Sequence, residues 1–381
     1  MKWEKVKLGE LYEVHNGLSK AGKFFGEGYP FLTFSTVFNN YFIPKQITDL
    51  VQSTEKEQES YSIRRGDVFV TRTSETSDEL GMSCVALKDY PMATYNGFTK
   101  RMRPITNRVF PEYIGYYMRL PSFRGEFRAF STMTTRASLR NEDLLGLEVK
   151  LPSIEIQKQI AGILSVYDDL IENNQKQIKL LEEAAQRLYK EWFVDLRFPG
   201  YENTKISDGV PEGWSRGLLK ELISVNYGKD HKKAPDDGNI PVYGSGGLMR
   251  KCNKSLFSGE AVLIPRKGSL NNIMYVDETF WTVDTMFYAT MKQPHTAIFV
   301  YFFVKAFDMY SMNIGAAVPS MTTKILDAMD VVIPDKETLE KFDKYAKVYF
   351  NKIKTLQGQN ERLKIARDLL LAKLMSGEVE V

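Results

Sequence analysis

The chain carries one pattern of residues twice, in the same order, and this repetition limits it to folds that consist of two similar halves. Residues 3–37 match residues 214–248 at a constant offset of 211, and both segments begin with a tryptophan. Later segments match at smaller offsets, which fall to 182 where Pro152 corresponds to Pro334. Because the matched segments keep their order while the offset falls steadily, the sequence indicates an internal duplication.

The two copies differ mainly in length. The first copy is 29 residues longer between its tryptophan and its proline, and much of the excess lies in the polar stretch Gln46–Ser62, which we interpret as a surface insertion. The segment RRGDVFVTRTS (64–74) corresponds to FSGEAVLIPRKGS (257–269), where Gly66 aligns with Gly259 at an offset of 193. This alignment predicts equivalent strands in the two halves.

A long helical pattern follows each copy. Apolar residues recur at steps of three and four along residues 156–192 and again along 342–374. Each helix is expected to span about 40 residues, or roughly 60 Å at 1.5 Å per residue. The narrow apolar seams predict an antiparallel coiled coil, in which the polar seam residues Asn174 and Asn360 fix the register. The alternative is that each helix packs on its own domain.

The predicted fold class is α+β. Two globular mixed α/β domains stand in tandem, separated and joined by the two long helices, and the whole forms a pseudo-twofold internal repeat. Short strands are expected at 67–71, 83–87, 261–265, 272–276 and 287–291. The predicted boundaries are a first domain at 1–151, a central helix at 152–192, a connector at 193–213, a second domain at 214–333 and a C-terminal helix at 334–381.

Apolar residues also occur outside the predicted seams of the helices. Surplus apolar surface of this kind favours a docking site for a partner protein, although contacts with the globular domains could also cover it. The residues concerned are Leu164, Leu180, Leu339, Val348, Phe350 and Leu369.

Basic residues concentrate in the segment Lys100–Arg140, although the net charge of the chain is only +3. Only Glu112 and Glu126 oppose nine basic residues there: Lys100, Arg101, Arg103, Arg108, Arg119, Arg124, Arg128, Arg136 and Arg140. A basic segment with interleaved aromatic residues is typical of a phosphate-binding surface, and a solvated helix face is the alternative.

The residue types that carry catalysis are scarce. Two cysteines and three widely separated histidines favour neither a disulfide framework nor a metal centre. The glycine patterns at 24–28 and 243–247 lack the flanking residues of cofactor- or nucleotide-binding loops. No apolar run has the length of a membrane span, and no apolar signal region is seen near Met1. The sequence therefore predicts a soluble, cytoplasmic binding protein without catalytic residues, a metal or a cofactor of its own.

Polar and basic residues in the predicted loops of both domains are candidates for DNA contact. Arginine and lysine suit guanine edges and phosphates, whereas asparagine, serine and threonine suit adenine edges and backbone oxygens. The candidates of the first domain are Arg72, Thr73, Ser74, Lys100, Arg101, Arg103, Thr134, Thr135 and Arg136. Those of the second domain are Lys229, His231, Lys232, Lys233, Ser245, Arg250, Lys251, Arg266, Lys267, Asn271 and Asn272.

Several segments resemble those of a known family, the specificity (S) subunits of type I restriction–modification enzymes. The resemblance covers essentially the whole chain and is most specific around residues 192–214. It lies in WFVDLRFPGYEN…VPEGW (192–214), LPSIEIQKQIAGILSVYDDLI (151–171), RRGDVFVTRTS (64–74), IPVYGSGG (240–247) and LLLAKLMSGEVEV (369–381).

The resemblance implies a non-catalytic subunit that recognises double-stranded DNA. In that family each of two target recognition domains recognises one half of a bipartite site. The two conserved helices form an antiparallel coiled coil that spaces the domains and docks two modification (M) subunits. S-adenosylmethionine on the M subunits serves adenine methylation, and restriction (R) subunits use ATP and magnesium for translocation and cleavage.

Two functions of other classes stay open on sequence grounds. One is a stand-alone DNA methyltransferase or endonuclease, and the other is a coiled-coil scaffold that binds no DNA. Binding of S-adenosylmethionine or magnesium-dependent cleavage by the isolated chain would favour the first. Absence of salt-dependent DNA binding would favour the second.

Overall fold

The structure, a computed structural model, describes residues 3–74, 79–129, 137–312 and 320–381. The chain forms two compact units. The first comprises Met1–Asn173 together with Asn360–Val381, and the second comprises Asn174–Gln359. Both combine short strands with helices, so the predicted α+β class is confirmed. The domain boundaries predicted from the sequence stay a prediction.

The first unit has short strands connected by short helices. Its strands are β1 (Glu4–Lys7), β2 (Tyr12–Asn16), β3 (Phe25–Leu32), β4 (Leu50–Val51), β5 (Val68–Thr71), β6 (Thr73–Ser74), β7 (Ser83–Val85), β8 (Thr94–Tyr95), β9 (Thr99–Pro104), β10 (Ala137–Ser138) and β11 (Glu148–Leu151). Its short helices are α1 (Leu8–Leu11), α2 (Phe34–Asn39), α3 (Glu55–Ser60), α4 (Pro111–Tyr117), α5 (Pro121–Ala129) and α6 (Asn141–Gly146). The long helix α7 (Ile154–Tyr189) follows, and a π-helical turn (Lys190–Val194) extends it.

The second unit has longer strands. They are β12 (Ile206–Ser207), β13 (Val210–Pro211), β14 (Ser215–Leu218), β15 (Ile223–Tyr227), β16 (Ile240–Gly244), β17 (Gly247–Cys252), β18 (Phe257–Pro265), β19 (Met274–Thr282), β20 (Met286–Met291) and β21 (Asp330–Ile333). Its helices are α8 (Ala297–Lys305), α9 (Thr323–Asp327) and the part of the long α10 (Lys336–Ser376) that precedes Asn360. The two long helices have 36 and 41 residues, close to the predicted length.

Each unit is organised around a sheet with the same antiparallel strand order. In the first unit the order is β2-β9-β5-β7, and in the second it is β15-β20-β18-β19, followed by β16 and β17. A parallel pair joins β3 to β8 in the first unit and β16 to β19 in the second. In addition, β1 pairs with β11 and β14 pairs with β21. The pairing scheme of one unit therefore recurs in the other.

The registers of the two sheets agree, but they correct the sequence alignment in one strand. Equivalent rows cross the sheets: Val14, Met102 and Val68 in the first unit, and Val225, Ala289 and Val262 in the second. Val68 and Val262 differ by 194, whereas aligning Gly66 with Gly259 gives 193. The alignment was wrong by one residue because Gly66 lies in the turn before β5, whereas Gly259 lies within β18.

A close approach of two backbone segments requires glycine at the same place in both units. A Cβ atom on Gly17 would lie 2.0 Å from the backbone oxygen of Asn96. A Cβ atom on Gly228 would lie 2.0 Å from the backbone oxygen of Val283. Close-packed interiors have no room for an extra atom at such a distance. Glycine at both positions therefore allows the end of β2 to approach the segment after β8, and the end of β15 to approach the segment after β19.

A polar residue that follows a proline stands immediately before each long helix. The Ser153 hydroxyl accepts a hydrogen bond from the backbone N–H of Ile156 at 3.4 Å. The Asp335 carboxylate accepts hydrogen bonds from the backbone N–H of Thr338 and from Nε1 of Trp214, both at 2.9 Å. These contacts satisfy N–H groups that have no partner within the helix, which explains where α7 and α10 begin.

Segments of both long helices belong to the hydrophobic core of each unit. The first core contains Ile160 and Leu164 of α7 with Leu371 and Leu374 of α10. The second core contains Ala185 and Trp192 with Phe342 and Ala346. The helices thus bury apolar residues against the globular parts as well as against another helix.

This wider burial corrects three of the six residues that the sequence placed on the outer faces. Leu164 and Leu339 are buried in the cores, and the ring of Phe350 lies 4.8 Å from that of Tyr275. The other three are exposed, by 63%, 65% and 63% respectively: Leu180, Val348 and Leu369. The heptad pattern underestimated the apolar face because each helix has more than one neighbour.

Replacing Gly228 by alanine is expected to destabilise the protein by about 1–3 kcal/mol, because the new Cβ would overlap the backbone of Val283. Gly246→Ala is the matched control, since a Cβ there meets no atom within 4 Å. Its effect should stay within about 0.5 kcal/mol. Chemical denaturation followed by circular dichroism measures both, and equal stabilities would contradict the close approach.

Candidate nucleic-acid interface

Three strands of the second unit meet at one edge of its sheet. Tyr227, the last residue of β15, pairs with Phe287 near the start of β20, and β18 ends at the same edge. Arg266 follows β18, and its guanidinium lies 5.1 Å from the ring centre of Tyr227 and 5.3 Å from that of Phe287. Its Nη1 donates a hydrogen bond to the backbone oxygen of Asp284 at 2.9 Å. Aromatic rings and one hydrogen bond therefore position this arginine.

A glycine-rich hairpin turn meets the loop that follows Arg266. The backbone oxygen of Ser245 accepts a hydrogen bond from Nδ2 of Asn272 at 2.8 Å. Asn271 is turned toward the protein, because its Nδ2 donates to the carboxylate of Asp308 at 2.9 Å. The residues gathered here are called the strand-end cluster of the second unit: Tyr227, Ser245, Arg266, Asn272 and Phe287.

The predicted contact Arg250 holds a neighbouring loop together. Its Nη2 donates hydrogen bonds to the backbone oxygens of Ala234, at 2.8 Å, and of His231. Its Nη1 donates to the carboxylate of Asp236. The Nε of Arg250 lies 3.4 Å from Nδ1 of His231. Both predicted residues therefore have contacts within the protein.

Five predicted lysines of the second unit are exposed: Lys229, Lys232, Lys233, Lys251 and Lys267. The backbone N–H of Lys229 donates to the oxygen of Thr282 at 2.9 Å, and its own oxygen accepts from Nε1 of Trp281 at 3.0 Å. Such an ammonium group on a fixed backbone suits contact with phosphate oxygens.

The equivalent edge of the first unit is an open cleft of about 500 Å³, here called the strand-end cleft. It is lined by Asn16, Arg72, Lys100 and residues 139–142. Nζ of Lys100 donates hydrogen bonds to Oδ1 of Asn16, at 3.2 Å, and to Oδ1 of Asn141. Burial and the nearby positive charge of Arg72 lower the pKa of Lys100. Two neighbouring cations favour an anionic ligand in this cleft.

The structure describes only some of the other predicted residues of the first domain. Thr73 and Ser74 form the short strand β6, which pairs with β10. Thr134, Thr135 and Arg136 lie outside the described residues.

Two predicted arginines of β9 are directed into the protein. Arg103 forms a two-pronged ion pair with the fully buried carboxylate of Asp67, at 2.8 and 2.6 Å. Arg101 is 3% exposed and donates a hydrogen bond to the backbone oxygen of Ser62 at 2.9 Å. Burial lowers the pKa of Arg101, whereas the hydrogen bonds to Asp67 raise the pKa of Arg103. That these arginines bind DNA stays a prediction, and both have a structural role.

Two other arginines of the basic segment also contact protein groups. Arg119 donates hydrogen bonds to the backbone oxygens of Val37 and Asn40, at 2.8 and 2.6 Å, and burial lowers its pKa to about 10. Arg108 donates to the carboxylate of Glu4 at 2.6 Å. Much of the positive charge in this segment therefore stabilises the fold.

Four residues at the two edges were missed by the sequence analysis: Asn16, Asn141, Tyr227 and Phe287. Asn16 and Tyr227 end equivalent strands and differ by the offset of 211. The duplication therefore carried the signal that these positions share one location. Residue type alone favours lysine and arginine over such positions.

Metal-binding groups and a reactive thiol are not seen in the described parts of the chain. Among those residues, no three His, Cys, Asp or Glu side chains are grouped to hold a metal ion. Cys84 is buried, and burial raises its pKa to about 12, which disfavours a nucleophilic thiolate. Within the same ranges, no helix is both long and apolar enough to cross a membrane.

Comparison with known proteins gives one family along both halves. The family model for "Type I restriction modification DNA specificity domain" matches residues 1–183 and 211–364. The type I restriction enzyme MjaIX specificity subunit of Methanocaldococcus jannaschii is 25% identical to this chain. The match covers 100% of this chain and 94% of that protein. The HindI specificity subunit of Haemophilus influenzae is 22% identical over 99% of each chain. The crystal structure of a type I restriction–modification S subunit from M. genitalium has a similar fold, with a TM-score of 0.56, 16% identity, and coverage of 98% of this chain and 96% of that one.

Replacing Arg103 by alanine is expected to destabilise the first unit by about 3 kcal/mol or more, because Asp67 would stay buried without its partner charge. Arg140→Ala is the matched control, since Arg140 is exposed and pairs with the nearby Asp143 at the surface. Denaturation midpoints compare the two variants. Similar midpoints would contradict a structural role for Arg103.

Proposed function

We propose that the chain, which belongs to the family of type I restriction modification DNA specificity domains, is the non-catalytic subunit that selects the DNA sequence for a type I restriction–modification complex. One observation carries this proposal. The same sheet, in the same register, ends in differing sets of polar, basic and aromatic side chains in the two units. A repeated frame with differing side chains suits recognition of two different half-sites.

Each unit would recognise one half of a bipartite site. The first unit presents the exposed Asn16 at the position where the second unit presents the exposed Tyr227, whereas Lys100 and Phe287, their strand partners, are buried. An amide group suits hydrogen bonds to bases, whereas an aromatic ring suits apolar contact with a thymine methyl group. The exposed lysines would contact the phosphate backbone, which positions the protein without selecting a sequence.

The two long helices would form the antiparallel coiled coil that spaces the half-sites. Within the first unit, Arg367 of α10 donates a hydrogen bond to Asp168 of α7. Within the second unit, the ring of Trp192, in the π-helical turn that extends α7, lies 6.0 Å from that of Tyr345 in α10. Residue numbers therefore rise along one helix where they fall along the other, which supports the antiparallel arrangement and the pseudo-twofold repeat.

The partners would be double-stranded DNA, two modification subunits and restriction subunits in the cytoplasm. Exposed apolar side chains on the long helices support docking of modification subunits, among them Leu180, Val348 and Leu369. By family resemblance, S-adenosylmethionine would bind to those subunits, and ATP with magnesium to the restriction subunits. This chain would hold no cofactor.

Mapping methylated adenines across the genome tests the function. We expect methylation at a bipartite sequence, with one adenine in each half and on opposite strands, because the repeat would present its two halves to opposite strands. The control is the same strain without this chain but with its modification subunits. Methylation that persists in the control, or that marks one continuous sequence, would contradict the proposal.

Lengthening both helices tests the spacing. Inserting four residues after Lys179 and four after Leu356, at facing positions in an antiparallel pair, adds about 6 Å to the helices. That length corresponds to under two base pairs at about 3.4 Å each. We expect a longer preferred spacer with unchanged half-sites. Insertion after Lys179 alone is the control and should impair folding, because it displaces the apolar seam. An unchanged spacer in the double insertion would contradict the coiled-coil ruler.

A further inference from the structure

Arg72 and Arg266 occupy the same backbone frame in the two units. Each directly follows a central strand, and their positions differ by the structural offset of 194. The backbone N–H of Arg72 donates to the oxygen of Phe98 at 3.0 Å, and that of Arg266 donates to the oxygen of Thr285 at 2.8 Å. Both carbonyls accept hydrogen bonds at 2.9 Å, from the N–H groups of Leu139 and Met321 respectively. Four hydrogen bonds thus fix the two arginines in equivalent positions.

Their side chains share a feature that Arg101 also shows. The Nε atoms of Arg72 and Arg266 are both buried and have no hydrogen-bond acceptor among the described residues. A buried donor without an acceptor is unfavourable, and its recurrence at equivalent positions of two differing units indicates a common cause. A guanidinium that reorients toward an anionic ligand would gain acceptors for its donors. The feature therefore indicates a ligand that supplies oxygen atoms.

The neighbours of the two arginines differ, which separates two kinds of contact. Asn16 and Lys100 flank the first arginine, whereas Tyr227 and Phe287 flank the second. Two half-sites differ in their bases but share an identical sugar–phosphate backbone. A residue type that is the same in both units suits the part of DNA that is the same in both half-sites, and arginine binds phosphate through two parallel hydrogen bonds.

We propose that Arg72 and Arg266 are matched phosphate anchors, one for each half-site, and that the exposed side chains of Asn16 and Tyr227 supply the sequence dependence beside them. This inference rests on the proposed DNA-recognition function. It separates these two arginines from Arg103 and Arg250, each of which forms an ion pair with a carboxylate of the protein.

The test measures the dissociation constant of the complex of this chain with its modification subunits. The DNA is the cognate site, the site with one half scrambled, or unrelated DNA, at several salt concentrations. Arg72→Gln and Arg266→Gln are each expected to weaken all three by the same factor. Each should lower the slope of log K against log salt by about 0.9, so the ratio of wild-type to variant affinity falls about threefold between 50 and 200 mM salt. Arg→Lys at the same positions should retain the slope.

The matched controls are Asn16→Ala and Tyr227→Ala, which are expected to change the preference for one half-site each while leaving the salt slope unchanged. Circular dichroism checks that every variant is folded, and the lysine variants answer the question if a glutamine variant unfolds. An unchanged slope in both arginine variants, or a loss confined to cognate DNA, would overturn the phosphate-anchor inference. If the wild-type complex itself showed no salt-dependent DNA binding, the proposed function would be wrong as well.

Discussion

The hydrogen-bonded register of each central strand with its neighbours determines which side chains meet at the edge of the sheet. Side chains alternate between the faces of a strand, so a shift of one residue would exchange the buried and exposed sets. In the first unit this register keeps Val68 buried and brings Lys100 beside Asn16. In the second unit it keeps Val262 buried and brings Arg266 beside Tyr227. The chemistry of both edges therefore depends on backbone pairing deeper in the sheets.

A shared frame allows the two units to differ in side chains without differing in architecture. Asn16 and Tyr227 end equivalent strands of the two units, yet one offers an amide and the other an aromatic ring. Substitutions at strand ends change little of the buried core, because the residues that pack there lie further along the strands. The arrangement would allow two units with the same strand order to keep their stability while recognising different half-sites.

The sequence predicted the features that depend on local spacing. The α+β class, the two long helices and all five proposed strands followed from periodicity and from the repeat. The contacts of individual arginines could not be predicted in this way. Arg103 pairs with Asp67, which lies thirty-six positions earlier in the chain. A run of basic residues has the same sequence pattern whether its side chains contact solvent or a buried carboxylate. The shift at Gly66 and Gly259 has a similar origin, since a glycine marks a turn in one copy and a strand interior in the other.

The first unit is discontinuous in the chain, since it needs Asn360–Val381 as well as Met1–Asn173. Leu371 and Leu374 complete a core that already contains Ile160. A ribosome adds about 5–20 residues per second, so the continuous second unit is fully synthesised before the last helix segment becomes available. The half of the protein that emerges first is therefore completed last. Until then, the apolar surface that awaits this segment is open to chaperones or to premature association with other nascent chains.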